Sequence, residues 1–227
     1  MIIMNKNLLG VSAKIGCGKD TFFEILQKRT NNTYENKKFA GKLKQIASII
    51  TGISVENFED QDFKKTFLPD EWSYLPKDEI FTDGVGLVFK KMTVREFMQK
   101  LGTEAMRDSL HANVWVNAIF SDYIPQQYKI MEDIGKLSSE EIVIKRQGYA
   151  YHPSWCITDM RFPNEYDIIK SKGGILIRIN RPGVPQNDHP SETSLDNFKF
   201  DYVIDNNGTL EDFEKKIEDC LIHFNII

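Results

Sequence analysis

The sequence predicts an α/β fold, a three-layer sandwich in which a mainly parallel sheet carries helices on both faces. Three observations lead there. Short apolar runs of strand character alternate with longer stretches whose apolar residues recur at helical spacing. The first run passes straight into a glycine-rich turn and then a helix. A later run, Trp155 to Thr158, ends on an acidic residue, Asp159. On such sheets ligands bind beyond the carboxyl ends of the strands. Chemistry is therefore expected after Ser12, Ala40, Thr158 and Ile179.

The elements follow in order. Leu8 to Ser12 reads as a buried strand, and Asp20 to Lys28 as a helix striped by Phe22, Phe23, Ile25 and Leu26. Lys37 to Ala40 is the second expected strand, with a helix from Gly41 to Ile50 behind it. Residues 51 to 91 lose periodicity, with a hairpin expected near Asp83-Gly84. Thr93 to Ser109 is a helix with Val94, Phe97, Met98, Leu101 and Ala105 on one side. Thr93 is its expected cap, and Glu96 stands at capping-box distance. A further helix spans Asn113 to Tyr123 and stops before Pro125. Gln126 to His152 reads as a charged insertion with a hairpin. Pro163 opens a helix that Gly173-Gly174 closes, and Ile175 to Ile179 is the next strand. Arg181 to Lys199 is a polar loop, Tyr202 to Ile204 a last strand, and Thr209 starts the C-terminal helix. One domain over residues 1–227 is expected, irregular at about 51–92 on the acceptor side and inserted at about 126–152.

Composition narrows the function. A 227-residue chain with 41% apolar and 27% charged residues is ordinary for a globular protein. A net charge of -4 gives no basic field for a nucleic acid polymer, so any nucleotide bound is a small one. Three scattered cysteines, Cys17, Cys156 and Cys220, have no metal spacing and suit a reducing compartment. No apolar run approaches membrane-spanning length, and a cytosolic, membrane-free protein is expected.

Gly10-Val-Ser-Ala-Lys-Ile-Gly-Cys-Gly-Lys-Asp-Thr21 joins the first strand to the first helix. Glycines there let main-chain amides face inward, and the helix dipole behind them favours an anion. This is the phosphate loop of the P-loop NTPase form of the sandwich. Ala13, Lys14, Gly16, Cys17, Gly18, Lys19, Asp20 and Thr21 are the expected ATP-binding residues. Lys19 would reach the β- and γ-phosphates. Ala13 stands where the general pattern has glycine, and Asp20 where it has a hydroxyl. Asp20 is then a candidate for Mg²⁺, directly or through water, with Thr21 one position on. Cys17 reads as a small filler, a nucleophile being the alternative. Asp159, at the end of its strand, is the second metal candidate, the alternative being a helix cap or an arginine's partner. Arg161 would lie near the transferring group.

Acceptor residues are sought elsewhere. Arg95 and Gln99 share a helix face, and Gly102 removes bulk further along it. A guanidinium can fork onto a monophosphate, and an amide can read a base edge. Arg107, Lys42 and Trp115 are further candidates, with a solvated lysine and a core tryptophan as alternatives. Arg181 opens the polar loop and could bring a mobile positive charge to the phosphates. His189 and Glu192 lie in that loop without an assigned role. Asn206 follows the last strand and borders the adenine or merely a turn.

Together these motifs carry a resemblance. The phosphate loop, Thr93-Val-Arg-Glu-Phe-Met-Gln-Lys-Leu-Gly-Thr103, Asn113-Val-Trp115, Thr158-Asp-Met-Arg-Phe-Pro-Asn-Glu165, Arg181-Pro-Gly183 and His189-Pro-Ser-Glu192 resemble the deoxynucleoside monophosphate kinases of tailed bacteriophages. The Gly-Lys-Asp-Thr ending is what that family uses. The resemblance implies ATP and Mg²⁺, conversion of dNMP to dNDP in the host cytoplasm, and a homodimer. It adds weight to Arg95, Gln99, Asp159 and Arg161. Rival readings are a kinase resembling those of dephospho-coenzyme A or phosphomevalonate, and a nucleotide-binding switch without an acceptor.

Overall fold

The computed structural model describes residues 4–75, 89–124, 152–184 and 190–227. The hairpin expected near Asp83-Gly84 and the insertion up to residue 151 lie outside the described residues. The chain divides into two compact units, Met1–Phe39 with Val116–Ile227, and Ala40–Trp115.

The first unit is built on a five-stranded parallel sheet. Its strands are β1 (Asn5–Ala13), β2 (Glu35–Lys37), β3 (Trp155–Ile157), β4 (Gly174–Asn180) and β5 (Tyr202–Asp205), in the order β2-β3-β1-β4-β5. Register is set by Leu8 beside Trp155 and Gly10 beside Leu176. Strands buried on both faces read as unbroken apolar runs, which is why β1, β3 and β4 are visible in the sequence. Leu9, Val11, Ile177 and Ile179 face one core. It is filled by Phe22, Ile25 and Leu26 of α1 (Lys19–Arg29), and by Phe213, Ile217 and Leu221 of the C-terminal helix Leu210–His223. Leu8, Ile157 and Leu176 face the opposite core, under Val116, Ile119 and Phe120 and under Tyr166 and Ile169 of helix Pro163–Ser171. Helices on both sheet faces match the expected sandwich.

Two details depart from expectation. The second strand ends at Lys37, and Phe39-Ala40 already belong to helix α2 (Phe39–Thr51). The polar loop after Arg181 holds a short helical turn, Pro190–Thr193. The three cysteines are free and buried, and burial pushes the Cys220 thiol up to about 12. Among the described residues no helix is long and apolar enough to cross a membrane.

The second unit has its own core of Ala47, Phe58, Leu68, Val94 and Phe97. Its main helix starts as α3 (Val94–Gln99) and continues as a π-helix, Lys100–Leu110. Thr93 caps α3 as expected, its hydroxyl accepting from the Glu96 amide at 3.1 Å. The Glu96 side chain meets the Thr93 backbone and also accepts from the Tyr74 hydroxyl, and it lies 3.5 Å from the Lys90 ammonium. The hydroxyl, followed by the lysine charge, holds its carboxyl below the usual range.

Candidate active site

The site of the first unit begins where β1 runs out of sheet partners. Beyond Ala13 the chain turns on itself, the Cys17 amide donating to the Lys14 carbonyl at 3.2 Å. Gly16 and Gly18 take φ of 80° and 104°, in the left-handed region. Gly18 is also the cap of α1 and has no side chain with which to satisfy the helix's first amides. Free amides at a helix start, with the dipole behind them, are groups that favour an anion. Cys17 is buried in the core as a filler.

Side chains from three other strand ends fasten this loop. The Asn206 amide, just past β5, donates to the Cys17 carbonyl at 3.0 Å. Arg181, just past β4, donates to the Gly16 carbonyl at 3.2 Å. Arg161, beyond β3, donates to Glu192, whose other oxygen accepts from the Ile15 amide at 3.1 Å. Lys14 pairs with Asp196 at 2.9 Å, and Asp196 also accepts from Arg178 at 2.6 Å. Arg178, nearly buried in the sheet, reaches the Ser12 hydroxyl at 2.8 Å. Beside the loop lies a cavity of about 530 Å³, lined by Lys14, Cys17, Asn180, Arg181, Phe198 and Phe200 among others.

The carboxylates expected to meet a metal are placed differently. Asp20 is in the first turn of α1, its side chain 68% exposed and 3.5 Å from the Lys19 ammonium. Asp159 accepts from the Phe39 amide at 2.8 Å. It thus caps α2, a helix not foreseen as its partner. Mg²⁺ asks for one or two carboxylates when phosphates and water fill its remaining positions. Asp20 and Asp159 are the two carboxylates that could hold it. Among the described residues no group of three or more His, Cys, Asp or Glu gathers into a closed metal cage.

The second unit carries the expected acceptor residues. Arg95 and Gln99 are exposed on α3, and Arg95 donates to Gln61 at 3.3 Å. Lys42 lies in the first half of α2 and Arg107 in the π-helix, both half-buried. Two cations escaped the sequence reading. Lys44 is buried and paired with Glu59, while Lys64 donates to the Glu59 carbonyl at 3.4 Å. Burial first, and then the charge of Lys44, holds the Lys64 ammonium below its usual range, with Arg95 adding to the effect.

One candidate is corrected. Trp115 does not offer its ring to a base. It is 5% exposed and donates its indole N–H to the Gly102 carbonyl at 2.9 Å. Gly102 allows the close approach expected of it, since a Cβ there would lie 2.8 Å from Leu43 Cδ2. The glycine admits Leu43. Replacing Trp115 by phenylalanine is expected to cost about 1–3 kcal/mol by removing its buried hydrogen bond to the Gly102 carbonyl and leaving part of its volume empty. Urea unfolding reads that cost, and the KM for any acceptor should stay within about twofold.

The sequence pattern of the deoxynucleotide monophosphate kinases matches residues 70–217. The chain belongs to the deoxynucleotide monophosphate kinase family. A mimivirus protein, from Acanthamoeba polyphaga mimivirus, is assigned to the same kinases. It is 31% identical over 218 residues, which cover 94% of this chain and 95% of that protein. The deoxynucleotide monophosphate kinase of Enterobacteria phage T4 is 30% identical over 141 residues, 62% of this chain and 50% of that kinase. The dephospho-CoA kinase from Campylobacter jejuni superposes with a TM-score of 0.40 and 15% identity over 96% of this chain and 97% of its own. That likeness is too loose to bear on the acceptor. The family resemblance expected of the deoxynucleotide monophosphate kinases is thus borne out, and its motifs at Arg161, Arg181 and Glu192 all touch or neighbour the phosphate loop.

Proposed function

We propose that this chain transfers the terminal phosphate of ATP to deoxynucleoside monophosphates, giving ADP and the deoxynucleoside diphosphates. The observation that carries the reading is the loop from Ala13 to Thr21. Its left-handed glycines lead into the side-chain-free cap of α1, with Lys19 in the first turn. Family membership supports the acceptor class.

The chemistry asks for cations more than for a base. A phosphate monoester has its second pKa near 6, so the attacking oxygen of the acceptor is already mostly anionic at neutral pH. The obstacle is the approach of two anions. Lys19 would hold the β- and γ-phosphates, and Arg161 and Arg181 would spread the charge that develops on the transferring group. The loop amides from Ala13 through Thr21 would cradle the triphosphate, with Asn206 bordering the nucleoside. Asp20 and Asp159 would hold Mg²⁺, which supplies charge neutralisation across the phosphates when bound. On the acceptor side, Arg95 would fork onto the monophosphate and Gln99 would read the base. Lys42 and Arg107 would add positive charge. A homodimer in the host cytoplasm goes with this reading, and sedimentation of the purified chain tests the dimer.

ADP release, followed with ATP, Mg²⁺ and a panel of acceptors, tests the function. Turnover is expected with dNMPs. Turnover only with dephospho-coenzyme A or phosphomevalonate would replace the reading by one of those kinases. Slow hydrolysis that no acceptor stimulates would point to a switch. In the same assay Arg95→Ala is expected to raise the KM for the dNMP about tenfold or more, the worth of a charged hydrogen bond of roughly 1.5–3 kcal/mol. The KM for ATP should hold within about twofold.

A further inference from the structure

We infer that Glu192 is a positioning residue: its carboxylate holds the Arg161 guanidinium against the phosphate loop. This rests on the proposed phosphoryl transfer. Glu192 lies in the short turn Pro190–Thr193, and its side chain is only 4% exposed. Both of its oxygens are engaged. One accepts from the Ile15 amide at 3.1 Å, and the other from Arg161 Nη1. The guanidinium and the loop amide are therefore held apart by no more than the width of one carboxylate.

The arrangement fixes a side chain that is otherwise loose. An arginine carries about 2 kcal/mol of rotamer entropy. Here both ends of Arg161 are tied. Its main-chain amide donates to Glu165 at 2.7 Å, and its guanidinium to Glu192. The pair holds closed because a buried carboxylate stripped of its cation is strongly disfavoured. Charge balance also fits. A bare carboxylate beside a phosphate loop would repel ATP, whereas a carboxylate matched by a guanidinium adds no net charge. Of the guanidinium's five N–H donors, Glu192 takes its share at one nitrogen, and the remainder of the fork can meet an anion.

The segment carrying Glu192 is itself anchored. Leu195 is buried, and Asp196 ties the same stretch to Lys14 and Arg178. Two carboxylates four residues apart thus stitch one segment to the loop and to the strand end beside it. Asp196 serves the lysine and the sheet arginine, and Glu192 serves the Arg161 guanidinium.

A double-mutant cycle on Glu192 and Arg161 tests the assignment. Glu192→Ala is expected to lower kcat about 30-fold or more, as a misplaced catalytic group does. Affinity for a fluorescent ATP analogue should change less than threefold. Glu192→Gln should fall between, because its one carbonyl oxygen serves only one of the two donors. With Arg161→Ala already present, adding either change should cost little more. Effects that multiply, or a folded Glu192→Ala enzyme at wild-type kcat, overturn the proposal. If Glu192→Ala does not fold, the glutamine variant carries the cycle. Hydrolysis of ATP without acceptor is read in parallel. A coupled loss there, with no transfer to any dNMP, overturns the acceptor reading and keeps this one. A crystal structure of Glu192→Ala gives an answer free of activity: Arg161 released from the loop is expected, and an unmoved guanidinium overturns the proposal.

Discussion

Replacing Lys19 by methionine is expected to lower kcat by about two to three orders of magnitude while leaving the fold intact. The size follows from what the ammonium does. A cation placed where charge develops, in a site sheltered from water, is worth about 3–4 kcal/mol, or 10² to 10³ in rate. Lys19 opens α1, and its side chain is 23% exposed, so its charge is only partly screened. It pairs with Asp20 at 3.5 Å, a loose contact that a triphosphate would outbid. Methionine keeps the unbranched stem and nearly the same helix propensity. Thermal melting should therefore move by no more than about 2 °C. A loss below tenfold would mean that this loop does not hold the transferring phosphate.

Gly18→Ala is expected to damage both stability and nucleotide binding. At φ of 104° an L-residue is strained, at about 1–2 kcal/mol. The added methyl would also sit 2.8 Å from Phe213 Cε1 and 3.0 Å from Asn206 Nδ2. Phe213 is a buried core ring and cannot swing away cheaply, and overpacking of this kind costs a further 1–3 kcal/mol or so. A total of about 2–5 kcal/mol lowers the melting temperature by roughly 5–15 °C. Pushing Asn206 aside also loosens its grip on the Cys17 carbonyl, so ATP affinity should fall about tenfold or more. Gly16→Ala is the control. Its φ is 80°, but nothing lies within 4 Å of the added carbon, so only the backbone cost applies. The difference between the two variants in urea unfolding isolates the packing against Phe213. Equal destabilisation would mean that the ring does not hold the loop.

The parts of the fold that were legible in the sequence are those whose causes are local. β1, the turn and α1 follow from an apolar run, two glycines and a helical stripe within 25 residues of one another. Thr93 caps α3 through the amide three residues on, a signal carried by two nearby positions. Where the cause is distant, reading failed or stopped short. α2 starts two residues before the expected Gly41 because its Phe39 amide is met by Asp159, 120 residues away. Glu96 also takes the Tyr74 hydroxyl, 22 residues back, a partner that no local spacing announces. Trp115 stayed open between a base-stacking group and a core ring because an aromatic beside an apolar stripe reads alike in a core and in a pocket. Glu192 could not be given a role, since Ile15 is 177 residues away in the chain and no spacing rule spans such a gap. Lys44 and Lys64 were passed over because burial, which sets them apart from other lysines, is not written in their neighbours.

The strand order has a consequence for how this chain comes off the ribosome. β1 and β2 do not bond to each other; both bond to β3, with Leu8 and Glu35 each lying beside Trp155. The apolar strand β1 therefore emerges with edges that have no mate until more than a hundred further residues have been translated. A nascent chain cut before Trp155 is expected to aggregate unless a chaperone holds it, which pelleting of such truncated chains with and without chaperone checks.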